Sequence, residues 1–437
     1  MPRLLADITP LKVSPPYRRL FIGNSFSVIG TQVTLMAVSL EVFDLTSSSA
    51  AVGLIGLIAL VPLIVTGLYG GAIADAFDRR RVALTSSLVL WGTTILICAH
   101  AWLGLHQVWI LYLLTAIHSG ASGINMPTRS AIIPALVGAK LLPAANALNM
   151  ILGSVAMMVA PVLGGVLVAG VGYAWTYSLD VVTFAASVYS VFRLPPMPPA
   201  ERRGFPGLKA VWDGFRFLGT RPNVRMTFLI DLCAMILAAP RALMPAVAAL
   251  AIGGGSATVG AMMAGTAIGA FLGGFFSGPL GHVVRQGRAV YFAVTAWGLC
   301  IAATGIVVLW ARPGPDGAAN VPALILGVAC MAASGLADTI SSVFRNTILQ
   351  AATPDHLRGR LQGVFTVVVT GGPRLGDALA GAMAALWAAV LGSGAAAHAG
   401  GEGTTLLVGG ALCILGAAAL MRFQPGFLRY DARSPQP

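Results

Sequence analysis

Several charged side chains lie inside long apolar stretches of this 437-residue chain. A charge in apolar surroundings is unfavourable, so such residues usually pair with an opposite charge or mark a functional pathway. Arg374 and Asp377 are spaced i, i+3 and therefore share one face of a helix. Two interpretations stay open for them: a purely structural ion pair, or a switch in which Asp377 takes up a proton and frees Arg374 to bind or release an anionic group. The other charged residues of this kind are Glu41, Asp180, Asp231, Asp338 and Arg241.

Arg241 lies between Pro240 and Pro245, so the helix that carries it is expected to be kinked. We expect its guanidinium to face a cavity and to contact a catecholate, hydroxamate or carboxylate oxygen. The alternative is a structural pairing with Asp231, which an ideal helix would place about 15 Å away.

Several further polar residues are assigned to a pathway by their type and position. Asp338 lies in mid-span, whereas Glu41 lies near the end of its span and has the alternative of reaching the interface beside Asp44. The acids predicted to take part in proton coupling are Asp377, Asp338, Glu41 and Asp231. The side chains predicted to line a substrate cavity are Arg241, Arg374, Asn24 and Gln32. For Asn24 and Gln32, packing contacts between helices are the alternative.

The apolar stretches that hold these residues define the class of protein. Hydrophobic residues make up 57% of the chain and charged residues only 10%, against about 25% charged in an ordinary soluble domain. So few charges cannot cover the surface of a soluble enzyme of this length. No P-loop, HExxH or GxSxG pattern occurs, so ATP-driven transport and intramembrane hydrolysis are excluded as well, and no cofactor is expected.

Segments of about 20 apolar residues, the length that crosses a bilayer as a helix, recur along the chain. They predict an all-α membrane protein with twelve transmembrane helices. The predicted spans are 20–43, 50–73, 82–104, 107–127, 142–169, 172–193, 224–250, 257–281, 289–311, 321–344, 359–391 and 404–423. The predicted domains are therefore a six-helix bundle at 1–193, a cytoplasmic linker with an amphipathic helix at 194–223, and a second six-helix bundle with a short tail at 224–437.

The net charge of +12 is explained by membrane topology, so nucleic acid is not expected as a partner. Of the 27 Lys and Arg residues, all except Arg241, Arg312 and Arg374 fall on one side of the predicted spans. Because cytoplasmic loops carry the excess of positive charge, both termini are predicted to be cytoplasmic, in a multi-pass protein of the inner or plasma membrane. No cleavable signal peptide is expected, since the first 19 residues contain no apolar stretch.

The two halves of the chain repeat each other. Arg129 follows the fourth predicted span and stands 17 residues before Asn146, and Arg345 follows the tenth and stands 17 residues before Gln362. Two parallel six-helix bundles around a central cavity suit alternating access, because rocking one against the other exposes the cavity to either side.

The loop after the second span has glycine, acid and base in that order. The residues predicted to form a gating latch there are Gly71, Asp75, Arg79 and Arg80. Glycine permits close helix approach, and the acid is expected to pair with an arginine or cap a helix. A basic loop that only sets topology is the alternative. The loop resembles the signature loop of the major facilitator superfamily and departs from it at Asp78, where that pattern has glycine.

Within that superfamily, the chain resembles the siderophore (enterobactin) exporter branch along almost its whole length. The matching stretches are 10–12, the loop around Asp75, 208–209, 214–218, 241–246, 341–342, 353–355 and 359–360. The resemblance implies the superfamily fold and proton-driven export of a siderophore across the inner membrane. Macrolide-efflux transporters lie near this branch.

The sequence thus predicts a secondary active transporter, not an enzyme: a proton-driven exporter that moves a siderophore-like small molecule outward by alternating access. Multidrug or macrolide efflux is the alternative, since the intramembrane acids suit cationic drugs whereas Arg241 and Arg374 suit anionic siderophores. A membrane sensor or scaffold is less favoured, because a linker of about 30 residues and a tail of about 15 are too short for an output domain. The expected partners are a small-molecule substrate, protons and the lipid bilayer, and the protein is expected to be monomeric.

Overall fold

A computed structural model describes residues 8–198, 216, 218–276, 283–351, 355–392 and 395–431. Within these ranges the regular structure is helical, and none of the described residues forms a strand. Lipid explains this result, since a helix satisfies its own backbone N–H and C=O groups where no water can. The prediction of an all-α membrane fold is confirmed.

The helices follow one another with short connections. They are α1 Thr9–Val13, α2 Pro15–Thr46, α3 Ser49–Ala76, α4 Arg79–Trp102, α5 Val108–Phe192, α6 Pro222–Leu237, α7 Met244–Ala246, α8 Gly255–Phe275, α9 Gln286–Trp310, α10 Val321–Ala351, α11 Asp355–Leu391 and α12 Ala395–Phe423. Short 3-10 turns lie at Arg241–Leu243, Pro315–Gly317 and Phe427–Arg429, and a π-helix at Val247–Ile252.

The long helix α5 consists of three rods. Gly138 (φ 72°, ψ 166°) and Gly172 (φ 78°, ψ 178°) have non-helical backbone angles that glycine adopts readily, and they interrupt it. The three rods correspond to the predicted spans 107–127, 142–169 and 172–193. With them, the described residues contain a helix for each of the twelve predicted spans.

Ten stretches among the described residues are long and apolar enough to cross a membrane. One of them, Ala144–Phe192, covers two predicted spans, and every predicted span except 107–127 has such a stretch. The exception is explained by polar side chains, because His118, Ser119 and Asn125 are buried in the first rod of α5 and lower its hydropathy.

The chain divides into two compact units. Unit 1 comprises Met1–Glu41 and Ile58–Gly207, and unit 2 comprises Val42–Leu57 and Leu208–Pro437. The grouping of 42–57 with the second unit has no counterpart in the predicted domains, whose limits at 193 and 224 stay a prediction. The predicted amphipathic helix of the linker lies almost wholly outside the described residues.

Unit 1 is held together by the packing of α4 along α5 and by small residues at helix contacts. A Cβ at Gly70 would collide with the backbone of Gly123, so glycine lets α3 approach the first rod of α5 closely. One of its buried apolar clusters contains Leu20, Ala83, Ile132, Val191 and Leu194.

Unit 2 uses the same device. In α8 and α10, Gly269 faces the carbonyl oxygen of Ala332, and Gly335 faces that of Thr266, so a Cβ at either glycine would collide with backbone. Close helix contact of this kind replaces the hydrophobic driving force that lipid cannot supply.

The seventh predicted span is broken as its prolines require. Helix α6 ends at Leu237, and the chain then continues through the 3-10 turn at Arg241–Leu243, α7 and the π-helix at Val247–Ile252. The predicted kink beside Pro240 and Pro245 is therefore present.

Candidate functional site

Arg345 lies in unit 2 between two carboxylates. Its Nη1 forms an ion pair with Asp231 Oδ1 on α6, and its Nη2 lies 3.5 Å from Asp338 Oδ1, two turns earlier on α10. The side chain of Asp231 is 6% exposed, whereas that of Asp338 is 47% exposed. One buried acid thus fixes the guanidinium, and a second, accessible acid shares it.

A cavity of about 190 Å³ in unit 2 borders this cluster. Its lining residues are Thr227, Phe228, Asp231, Met235, Asp338, Ser342, Arg345, Asn346 and Leu349. A cation, two acids, hydroxyls and an amide in one cavity are able to bind a polar group and to exchange a proton. The structure thus brings together two predicted proton-coupling acids, Asp231 and Asp338. Their contact with Arg345 was not predicted.

Arg129 occupies the repeat-related position in unit 1 and has a different environment. Its Nη1 donates to Asn24 Oδ1 (2.7 Å), and its Nη2 donates to Ser87 Oγ (3.2 Å) and Ser187 Oγ (2.8 Å). These acceptors belong to α2, α4 and the last rod of α5, and all of them are neutral. Among the described residues no carboxylate pairs with Arg129.

The two arginines contact corresponding residues of the repeat. Asn24 stands nine residues after Pro15, where α2 begins, and Asp231 stands nine residues after Pro222, where α6 begins. Both arginines of the repeat therefore bind the same position of the first long helix of their half. That position is an amide in unit 1 and a carboxylate in unit 2.

Arg374 and Asp377 do not form an ion pair in the structure. Arg374 Nη1 and Asp377 Oδ1 are buried without a hydrogen-bond partner among the described residues. The backbone of Ala242 instead donates to the Asp377 carboxylate, and the exposed Arg241 is close enough to Asp377 and Asp338 to attract both. The proposed pairing of Arg241 with Asp231 is also absent, since Asp231 pairs with Arg345.

Glu41 is buried rather than placed at an interface. It accepts a 2.6 Å hydrogen bond from the Tyr177 hydroxyl, and its Oε1 lies 3.4 Å from His100 Nδ1. His100 Nε2 accepts from the backbone N–H of Gln107, so a neutral imidazole carries its proton on Nδ1, facing Glu41. All three side chains are buried in unit 1. The sequence analysis found only the acid of this cluster.

The other acid of unit 1 and the second predicted amide of α2 are less distinctive. Asp180 is fully buried and accepts a 2.7 Å hydrogen bond from Thr34 Oγ1, which links α5 to α2. Gln32 is half-buried on α2, and its predicted place in a substrate cavity stays a prediction.

Glu402 is an intramembrane acid that the sequence analysis missed. The predicted twelfth span begins at 404, but α12 begins at Ala395, so Glu402 lies inside the helix and is 4% exposed. Its Oε1 accepts from Ser49 Oγ, and its Oε2 is buried without a partner among the described residues. The segment 395–403 has low hydropathy because it contains Glu402 and several glycines. For this reason the sequence analysis did not detect where the helix begins.

The basic loop after α3 is hydrogen-bonded to the start of the linker. Asp78 caps α4 by accepting from the backbone N–H groups of Arg80 and Arg81, and its Oδ2 also accepts from the N–H of Met197. Arg79 donates from its backbone N–H to the Met197 carbonyl. The residue that departs from the superfamily pattern is thus a helix cap. Gly71 and Asp75 lie on α3, but the contacts of both residues are outside the described structure, so the latch stays a prediction.

Cysteine and metal chemistry do not enter the described site. The five cysteines are free thiols, and Cys233 Sγ donates to the carbonyl oxygen of Cys413 at 3.6 Å. No group of three or more His, Cys, Asp or Glu among the described residues is arranged to hold a metal ion.

The chain matches the family of transmembrane secretion effectors over residues 6–424. Because the match covers nearly the whole sequence, this protein belongs to that family, which is part of the major facilitator superfamily. It is a secondary transporter of the membrane and not an enzyme.

Named relatives extend the comparison. The chain is 30% identical over 423 residues to the enterobactin exporter EntS of Escherichia coli and equally to that of Shigella boydii. In both comparisons the match covers 96% of this chain and 96% of the relative. The predicted resemblance to this branch is confirmed.

Solved transporter structures share the fold. The peptide transporter PepTSo, a member of the POT family, superposes with a TM-score of 0.73 at 13% identity and covers 96% of this chain and 99% of its own. The nucleoside transporter NupG gives 0.70 at 14% identity, covering 94% and 99%, and a D-xylose–proton symporter gives 0.70 at 10% identity, covering 94% and 98%. At such identities the likeness establishes the major facilitator fold alone.

Proposed function

We propose that this protein is a proton-driven exporter that carries a siderophore-like small molecule out across the inner membrane by alternating access. The observation that carries the proposal is the position of Arg345, fixed by buried Asp231 and shared with accessible Asp338 beside a cavity. The similarity to enterobactin exporters supports a polar cargo with acidic groups.

Protonation of Asp338 is the proposed coupling step. In the cytoplasm-facing conformer Asp338 is ionised and accepts a hydrogen bond from a catechol or hydroxamic acid O–H of the cargo, while Nη2 of Arg345 donates to the neighbouring cargo oxygen. Asp231 keeps Arg345 in place throughout. A proton that enters from the outside neutralises Asp338 and removes this acceptor, so the cargo is released. Loss of the proton to the cytoplasm restores the site, so protons move in as cargo moves out.

The remaining predicted residues have supporting roles in this proposal. Arg241 attracts Asp338 and Asp377 and adds positive charge for the cargo, and Arg374 does the same beside Asp377. Asp377 and Glu41 are additional proton sites. The loop with Asp75, Arg79 and Arg80 acts as the latch between conformers, and the monomer has both termini in the cytoplasm.

The proposal is tested in everted membrane vesicles that accumulate cargo when respiration acidifies their interior. We expect uptake of enterobactin by wild-type vesicles, collapse of that uptake by a protonophore, and loss of proton-driven uptake in Asp338→Asn. Asp316→Asn is the matched control, because Asp316 is exposed in a turn with φ 55°, a conformation that Asn adopts equally well. Uptake that survives both the protonophore and Asp338→Asn would overturn the proposal.

Macrolide efflux is the second candidate. The two acids that line the cavity of unit 2, Asp231 and Asp338, favour it, because a carboxylate would bind a cationic drug directly. The same vesicles distinguish the two: accumulation of a cationic macrolide without accumulation of enterobactin would favour drug efflux.

A further inference from the structure

Within the described part of the chain, a buried cation that has no acidic partner distinguishes unit 1 from unit 2. Arginine stays protonated in proteins, and removing an unpaired charge from water costs several kcal/mol unless an opposite charge is near. In unit 2 Arg345 has Asp231 and Asp338. In unit 1 the described neighbours of Arg129 are an amide and two serine hydroxyls.

The hydrogen bonds of Arg129 leave part of its guanidinium available. Arginine has five N–H donors, and three of them are used by Asn24, Ser87 and Ser187. Nε is buried and has no partner among the described residues. Both serines are fully buried, so the guanidinium is held in place before any ligand arrives.

A small cavity lies against this guanidinium. Its volume is about 30 Å³, and it is lined by Tyr17, Leu20, Phe21, Asn24, Arg129, Ile133 and Asn149. The Tyr17 hydroxyl and the Asn149 amide are held in place, because Asn149 Nδ2 donates to Tyr17 Oη at 3.3 Å and Tyr17 Oη donates to the carbonyl oxygen of Ala145 at 3.1 Å. The described lining contains no acid. A cavity of this size accepts a group such as a carboxylate and leaves the rest of a ligand outside.

We propose that Arg129 with Asn24 forms an anion site that receives one acidic group of the transported molecule. The inference rests on the proposed function and refines it, since it assigns the acidic end of the cargo to unit 1. The repeat supports this inference. In unit 2 Asp231 neutralises Arg345, whereas the corresponding residue of unit 1, Asn24, is a neutral amide beside Arg129. The cargo supplies in unit 1 the charge that the chain itself supplies in unit 2.

Replacement of the Asn24 amide by a carboxylate tests whether Arg129 forms an anion site. In Asn24→Asp the Oδ1 acceptor for Arg129 is kept, so the fold is preserved, but the guanidinium gains an internal counter-ion. The probe is labelled salicylate, an acid with a neighbouring phenol, and salicylamide is its neutral counterpart. Binding to the purified full-length protein in detergent is measured by equilibrium dialysis.

We expect salicylate to bind the wild type at least about ten-fold more tightly than salicylamide, and Asn24→Asp to abolish this difference. Arg129→Gln should abolish it as well. The matched control is Asn320→Asp, which introduces the same charge at the N-terminus of α10, where the Asn320 side chain already accepts from the N–H of Ala323. This control should bind salicylate as the wild type does.

Two results would overturn the inference. One is undiminished salicylate binding by a folded Asn24→Asp protein. The other is abolition of salicylate binding by chloride at physiological concentration, because the site would then hold a free anion rather than cargo. Failure of vesicle transport in the wild type with intact, Asn24-dependent binding would count against the proposed function alone.

Discussion

Ser49 Oγ donates a 2.6 Å hydrogen bond to Glu402 Oε1, although 353 positions separate the two residues in the chain. Both are buried, and both belong to unit 2. Glycines carry the backbone contact beside this bond: a Cβ at Gly381 would meet the carbonyl oxygen of Ser49, and one at Gly53 would meet that of Asp377. The N-terminal part of α3 is therefore attached to α11 and α12 by close backbone packing and by one buried acid.

Two substitutions of Glu402 should distinguish the contribution of its hydrogen bond to stability from the contribution of its carboxylate charge. Glu402→Ala removes the acceptor of the Ser49 hydroxyl, and we expect the free energy of unfolding to fall by about 1 kcal/mol. Glu402→Gln keeps an acceptor and removes a buried charge, so it should be at least as stable as the wild type. Thermal unfolding in detergent measures both. Equal destabilisation by the two variants would contradict the role of the hydrogen bond.

The ion pair of Arg345 should depend on charge as well as on packing. Asp231→Ala leaves a buried guanidinium without its main partner and should cost about 3 kcal/mol of unfolding free energy. Asp231→Asn reproduces the amide found beside Arg129 in unit 1 and should cost less. A result in which Asn and Ala are equivalent would show that the acceptor at this position does not matter.

Glycine contact between α8 and α10 should tolerate no side chain. Gly269→Ala places a methyl group against the carbonyl oxygen of Ala332 and should destabilise the protein by about 2 kcal/mol. Gly274→Ala is the matched control in the same helix, because a Cβ there meets nothing within 4 Å. Unfolding in detergent should show a lower midpoint for the first variant and no loss for the second.

The Tyr177 hydroxyl should stabilise the buried acid Glu41. Tyr177→Phe removes a hydrogen bond to a buried carboxyl group and should lower the free energy of unfolding by about 2 kcal/mol. The same change at Tyr189, which is 58% exposed, is the control and should be neutral. If Tyr177→Phe has no effect on unfolding, Glu41 does not depend on that bond.

The hydrogen bonds of Asp78 should protect the start of the linker from cleavage by trypsin. Asp78→Gly restores the residue of the superfamily pattern but removes the cap of α4 and the bond from Met197, and we expect a loss of about 1 kcal/mol. Asp78→Asn retains an acceptor and should behave nearly as the wild type. Trypsin cleavage within 194–223 should be faster for Asp78→Gly alone.

Apolar run length and proline positions predicted a helix for each of the twelve spans. They located the spans and the break beside Arg241, because lipid imposes helical structure on any long apolar segment. They failed at Glu402, since an acid and several glycines at the start of α12 lower the hydropathy of a segment that is nevertheless buried among other helices.

Contacts of the charged residues were less predictable. Spacing along one helix suggested that Arg374 pairs with Asp377, yet that pair does not form, and the contacts of Arg345 with Asp231 and of Glu41 with Tyr177 link different helices. Such pairs depend on how helices are rotated about their axes, which hydropathy does not report. The sequence repeat showed that Arg129 and Arg345 are equivalent, but only the structure shows that the neighbours of Arg129 are neutral.

Asn24 and Asp231 differ only in that an amide replaces a carboxylate, and in the genetic code one A-to-G transition at the first base converts asparagine into aspartate. A change that small would give unit 1 the internal charge balance of unit 2. Under our proposal, paralogues with aspartate at position 24 should export neutral or basic compounds, so a single nucleotide would separate the acidic and basic cargo preferences within this lineage.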